Sequence, residues 1–214
     1  MAIFNTVYGG ELKWTPSWAI AYFPFETDMV DALGNKTITV TATWVSIATT
    51  WWVSALYNNG SGAAKINVWF RKADVTSLLM WVKTSNITQD NYIIGLRNNT
   101  SDRWILVYNS LFNAVRWQNS GYTITSSANT NWCCIWLIEK SDWCDLYVNW
   151  TKVSSATALD YSTLTADTGI LCRYDNGSAN KKFNWYLSKL ALYNTTITED
   201  KYMLYYNSTK ANYS

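Results

Sequence analysis

The chain has 214 residues, enough for one domain with an ordinary core, and its 49% hydrophobic and 15% charged content places it among globular rather than disordered chains. The net charge is only +2, from scattered lysines and arginines with no basic block, which argues against a nucleic-acid partner. Histidine is absent, which removes every Ser-His, Cys-His and His-ligated metal mechanism.

Residues 1–17 precede the first convincing core strand. They carry Ile3, then Val7-Tyr8, Gly9-Gly10 and Leu12, in residue chemistry an edge strand followed by a glycine turn. The pattern M-A-I-x-x-x-V-Y-G-G-x-L resembles the opening of many tailed-phage structural proteins. That resemblance implies a docking segment formed by Ile3, Val7, Tyr8, Gly9, Gly10 and Leu12. The stretch MAIFNTVYGGELKW has neither a basic n-region nor an apolar h-region, so no secretory signal is expected in it. No apolar run reaches the ~18 residues a membrane span needs.

Trp18–Phe25 (WAIAYFPF) reads as a strand, followed by the polar loop Glu26–Lys36. Thr37–Ser46 alternates Ile38, Val40 and Ala42 with threonines, a strand with one buried face. Val53–Tyr57, Ala64–Lys72, Leu78–Lys83, Tyr92–Arg97, Trp104–Tyr108 and Ala114–Gln118 follow, each bounded by Asn, Ser, Thr or Asp. So many short strands at such spacing predict a β-sandwich or barrel.

The organising stretch is Asn131–Lys152. Trp132–Glu139 and Cys144–Asn149 read as antiparallel strands joined by a polar turn at Lys140-Ser141-Asp142. Cys133 and Cys134 must point to opposite faces. Cys144 is expected opposite Leu137 or Ile138, too far along for a bridge to either, so buried reduced thiols are predicted. Ser154–Thr168 reads as a long polar connection, Gly169–Tyr174 and Phe183–Asn194 as strands. Thr198 is a candidate helix N-cap, with Glu199-Asp200 in the first turn where the helix dipole favours acids.

The Trp-opened strand, charged turn, L-Y-V-N and second turn resemble the central hairpin of laminin-G/concanavalin A-like lectin domains. The ending, A-L-Y-N and then a short helix, resembles them too. The resemblance implies an all-β, two-sheet antiparallel jelly-roll sandwich over residues 18–207, with a short C-terminal helix and a tail at 208–214. It implies that Asp28, Asp31 and Asn35 in the acidic loop could hold calcium through side-chain and carbonyl oxygens. The alternative for that loop is a plain polar turn, since no bidentate Glu stands at an EF-hand spacing. Trp150 and Trp185 stand where the family commonly has Gly, and Trp44 and Trp51-Trp52 also occupy turn-like positions. Glycine numbers 9 and tryptophan 14, against about 15 glycines at the usual ~7%. Two alternatives stay open. Trp150 and Trp185 are exposed loop-tip aromatics and hence glycan contacts, or some tryptophans stand for glycine through a recoded UGA codon or a sequence error. Peptide masses across both positions decide between them.

Related sandwiches include β-glucanases with E-x-D-x-E on one strand, where two carboxyls divide nucleophile and acid roles. Here Glu occurs only at 11, 26, 139 and 199, none in that pattern, and Glu139, Asp142 and Asp145 read as a solvated hairpin tip. The expectation is a non-enzymatic bacteriophage virion protein (capsid decoration, head fibre or tail adhesin) whose lectin-like domain contacts host-surface glycans. Major capsid or tail proteins, and further copies of the chain, are its expected partners, with no nucleic acid and no membrane. The alternatives are a cellular or secreted carbohydrate-binding module and, more weakly, a glucanase-like hydrolase.

Overall fold

The computed structural model describes residues 6–8, 11–13, 19–42, 44–50, 52–69, 75–85, 91–98, 101–108, 111–115, 123–127, 130–139, 143–157, 167–175, 178–180 and 182–213. In chain order the strands open with β1 (Thr6–Tyr8), β2 (Glu11–Lys13), β3 (Ala21–Phe23), β4 (Ile38–Ala42), β5 (Val45–Thr50), β6 (Val53–Asn59) and β7 (Ala63–Trp69). β8 (Ser77–Thr84), β9 (Asn91–Asn98), β10 (Ser101–Tyr108), β11 (Leu111–Val115) and β12 (Thr123–Ser127) follow. Then come β13 (Cys133–Glu139), β14 (Trp143–Val148), β15 (Thr151–Thr157), β16 (Asp167–Ile170), β17 (Arg173–Asp175), β18 (Ser178–Asn180) and β19 (Asn184–Tyr193). A helix, α1 (Glu199–Thr209), and a 3-10 turn over Lys210–Asn212 end the chain.

The strands form two large sheets. The front sheet runs β15-β14-β13-β8-β19-β6-β5, with β3 also on β19, and the back sheet runs β12-β11-β10-β9-β16-β7-β4. Among the described strands pairing is antiparallel except that β17 lies parallel to β9, and an isolated parallel bridge joins Tyr92 to Lys182. β1 and β2 pair with each other as a separate two-stranded sheet, Val7 opposite Leu12. Ile3, Gly9 and Gly10 lie outside the described residues.

Two cores result, one on each side of the front sheet. Alternate side chains of its central strands, Leu78, Met80 and Val82 with Cys133, Ile135 and Leu137, pack inward against Ile66, Ile94 and Ile170 of the back sheet. The intervening ones, Leu79 and Trp81 with Cys134, Trp136 and Ile138, pack outward under Tyr202, Tyr205 and Tyr213. A sheet covered on both faces needs apolar residues at every position, which is why CCIWLI and LLMWV are unbroken. Cys133 and Cys134 fall on opposite sides, as the pleat requires, and Cys133, Cys134 and Cys172 are free thiols.

Several boundaries differ from the sequence expectation. Thr37–Ser46 is two strands: at Trp44, φ 81°, the chain leaves β4 in the back sheet and enters β5 in the front one. Gly169–Tyr174 likewise breaks at Leu171, φ 56°, where β16 gives way to β17. The expected polar connection Ser154–Thr168 begins inside β15, the edge strand of the front sheet, whose Thr151, Lys152, Val153 and Ser155 are exposed. Cys144 stands opposite Glu139, one residue nearer the turn than Ile138. Asp145 is not part of a solvated tip: it is fully buried, accepts from Ser155 Oγ at 2.7 Å and pairs with Lys152 at 2.9 Å. Lys189 has φ 49° in a bulge of β19, where the strand exchanges β6 for β3 as neighbour.

Thr198 is the helix N-cap with Glu199 and Asp200 in the first turn, although its hydroxyl makes no capping bond. Residues 208–213 are not a tail. The Tyr213 ring stacks on Trp81 at 4.2 Å and its hydroxyl donates to Ser188 Oγ at 2.8 Å. Apolar outward residues on β8, β13 and β19 demand a cover, and the chain end supplies it.

Candidate functional site

The hydroxyls of the C-terminal cover determine where the helix sits. Trp81 Nε1 donates to Thr209 Oγ1 at 3.0 Å, and Thr209 Oγ1 donates to Tyr205 O at 2.7 Å. Tyr205 Oη donates to Lys189 O at 2.8 Å, capping the carbonyl at the bulge. Trp150 N–H donates to Tyr202 Oη at 2.7 Å, and Tyr147 Oη bonds the Glu199 carboxylate. Burial, and then the adjacent Glu199 carboxylate, push the Tyr147 phenol well above its ordinary range. Burial alone does most of the same to Tyr202, Tyr205 and Tyr213.

From this cover a run of rings reaches the surface. Tyr213 meets Trp132 edge-on at 4.9 Å, Trp132 lies 6.0 Å from Tyr186, and Tyr186 lies 5.1 Å from Tyr57. Beside Trp132 opens a cleft of about 630 Å³ lined by Thr50, Trp52, Val53, Lys83, Asn131, Trp132, Asn212 and Tyr213. Thr50 and Val53 pair across the β5–β6 turn, so Trp52 sits at the tip of a two-residue hairpin loop and is 93% exposed. Asn131 precedes β13 and Asn212 ends the 3-10 turn, both exposed. A second hollow of about 420 Å³ shares Trp132 and Tyr213 and adds Trp81, Asn149, Tyr206, Lys210 and Ala211. The two hollows therefore form one aromatic-floored surface, with amides, a hydroxyl and two ammonium groups at its edge.

Of the aromatics the sequence nominated, Trp150 is not among the described residues that line the cleft. Trp150 is half exposed in the β14–β15 turn, φ 73°, and only its neighbour Asn149 reaches the second hollow. Trp185 lies inside β19, paired with both Asn58 and Thr84, and not at a loop tip. The sequence signals that could have found the cleft are a tryptophan, Trp52, in a tight hairpin, where Asn-Gly is the usual choice, and Trp132 just before β13.

The expected calcium loop has the wrong donors. Asp31 is buried, Oδ1 accepting from Tyr22 N–H at 2.7 Å and Leu33 N–H at 3.0 Å. Oδ2 accepts from Asn35 N–H and Lys36 N–H, both at 2.9 Å. Four amide hydrogens directed at one carboxylate are the surroundings of an anion, and a cation would face their positive ends. Asp28 caps Val30 N–H, and Asn35 Nδ2 donates to Ile20 O. The three residues hold a turn together. No group of three or more His, Cys, Asp or Glu side chains is placed to hold a metal among the described residues. Burial raises the Cys134 thiol strongly and pushes Cys172 up to about 12, which keeps both protonated and poor nucleophiles.

No family model and no curated protein matches the chain. Solved structures do. Domain 4 of the GH43 extracellular arabinanase AbnA from Geobacillus stearothermophilus, in complex with arabinotriose, matches with TM-score 0.65 at 16% identity, covering 86% of this chain and 95% of that one. The binding domain of botulinum neurotoxin DC in complex with SialylT gives 0.68 at 14%, covering 90% and 52%. The fold is a two-sheet antiparallel β-sandwich. The binding domain of paraclostridial mosquitocidal protein 1 matches at 0.66 and 13%, covering 89% and 52%. The chain thus spans about half the length of the toxin binding domains and nearly all of the arabinanase domain. Identities this low establish the sandwich and leave the ligand to the site itself.

Proposed function

We propose that this lectin-like sandwich is a non-enzymatic glycan-binding domain, and that the sugar lies in the cleft between Trp52 and Trp132. The observation that carries the reading is a large aromatic side chain held almost fully in solvent at a hairpin tip, beside a hollow with exposed Asn131 and Asn212 amides. Indole faces take the apolar faces of pyranose and furanose rings, and amides bond the hydroxyls. The cleft volume falls in the range of small-ligand sites. Two of the similar structures are complexes, with arabinotriose and with SialylT, which supports a saccharide as ligand. The non-enzymatic assignment rests on the absence of histidine and on the engagement of Asp31 and Asp145 in structural bonds.

The test is a glycan array probed with the wild-type chain and with Trp52→Ala and Asn131→Ala. Wild-type binding that both substitutions weaken, at unchanged Tm, is the expected result. Binding indifferent to both would remove the cleft from consideration.

A bacteriophage particle as the place of action is a second reading, supported by the opening residues and by the β1–β2 hairpin, which forms a sheet of its own. In it, deleting residues 1–14 abolishes incorporation into particles while the sandwich still folds. Absence of the protein from purified particles would refute it.

A further inference from the structure

The charge pattern around the cleft narrows the ligand class, an argument that rests on the glycan-binding reading above. Among the described lining residues, Lys83 is the charged one in the first hollow and Lys210 the charged one in the second. Among the described residues neither lining includes a carboxylate. Three described acids have partners of their own: Glu26 pairs with Lys189 at 3.2 Å, Asp145 with Lys152 at 2.9 Å, and the Glu199 carboxylate accepts from the Tyr147 hydroxyl. Lys210 is exposed at the end of α1, with its ammonium 5.6 Å from the Tyr206 ring centroid. The shared floor is Trp132 and Tyr213, so a chain of sugars lying over those two rings meets an ammonium group in each hollow.

We infer that the cleft takes an acidic oligosaccharide, one carrying carboxylate or sulfate groups, in preference to its neutral counterpart. A neutral glycan would use the rings and amides alone. An acidic one adds two charge-assisted contacts, at Lys83 and Lys210, where no carboxylate stands among the described lining residues. Because both lysines remain partly in solvent, each contact adds a few-fold in affinity, about tenfold together, and the gain is salt-sensitive.

The experiment titrates the full chain by calorimetry with three matched probes: a neutral galactan hexamer, hexagalacturonate and a sulfated galactan hexamer. The inference expects at least one acidic probe to bind about tenfold more tightly than the neutral one, and the acidic probe that does so identifies carboxylate or sulfate as the source. The gap shrinks several-fold between low and high salt, and Lys83→Gln with Lys210→Gln brings the acidic probe down to the neutral level. Equal affinity for neutral and acidic probes, or a gap that persists in the double variant, overturns the acidic preference and leaves the glycan reading standing. No binding by any probe, with no binding on the array, overturns both. Far-ultraviolet dichroism and Tm of the double variant, expected to match wild type, separate a lost contact from a lost fold.

Discussion

Trp150 holds a backbone conformation that L-residues avoid, and paired substitutions measure the cost. Asn149 and Trp150 have φ 46° and 73°, both left-handed, as the central residues of a tight β14–β15 turn. A left-handed L-residue costs roughly 1–2 kcal/mol, while glycine pays about 0.5–1 kcal/mol in extra unfolded-state entropy. Replacing Trp150 with Gly or with Ala discards the same indole packing, so their difference isolates the backbone term. Gly at 150 is therefore expected to be more stable than Ala by about 0.5–1 kcal/mol, and both keep the N–H that binds Tyr202. For a chain of this length that is about 1–4 °C in Tm, resolvable by calorimetry and checked by urea unfolding. At Trp185, inside β19 and paired on both sides, the order must reverse, with Ala above Gly by a similar amount. Ala equal to or better than Gly at 150 would refute the left-handed turn. The same logic explains why a Gly at 150 in the natural protein, the other reading of its tryptophan-rich turns, would be structurally comfortable.

Three further outcomes follow from the packing. Truncation after Thr209 removes Tyr213 from its stack on Trp81 and should cost about 2–4 kcal/mol, a Tm loss of roughly 5–15 °C; an unchanged Tm would mean the end is a loose tail after all. Asp31→Ala leaves four amide donors without their acceptor and should destabilise by at least ~3 kcal/mol, whereas calcium or EDTA should leave the wild-type Tm unmoved; calcium-dependent stabilisation would restore the metal reading. Tyr22, Tyr147, Tyr193, Tyr202, Tyr205 and Tyr213 all titrate above their ordinary value because burial disfavours the phenolate. The unfolded chain then releases protons that the folded one retains, so stability falls as pH rises past about 10, by ~1.4 kcal/mol per pH unit for each such group. Tyrosinate absorbance should appear together with loss of structure in one alkaline transition; tyrosines that ionise well before unfolding would contradict this.

The sandwich was legible because its strands are short, alternate or run wholly apolar, and are separated by turn residues, and because the L-Y-V-N hairpin and the A-L-Y-N-helix ending carry a known pattern. The helix start was legible from Thr198, Glu199 and Asp200. The site was not. Trp150 and Trp185 were chosen because glycine is expected at both, yet only Trp150 is in a left-handed turn, and Trp185 is strand. Which aromatics reach solvent depends on how the C-terminal segment folds back over β8 and β13, a contact between residues more than a hundred positions apart, such as Trp81 and Thr209. Local pattern cannot supply that. Asp31 misled for a related reason, since a carboxylate in a polar loop reads the same whether it faces a cation or amide hydrogens.

The most direct test of the central claim is the set of indole N–H signals of Trp52, Trp132 and Trp44 in a nuclear magnetic resonance titration with the glycan that the array identifies. Trp44 and the Trp52 hairpin flank opposite ends of β5, roughly 20 Å apart at ~3.3 Å per residue, so Trp44 serves as an internal control. The account predicts saturable shifts at Trp52 and Trp132 with Trp44 unmoved. Shifts at Trp44 alone, or binding that leaves all three signals in place, would contradict it.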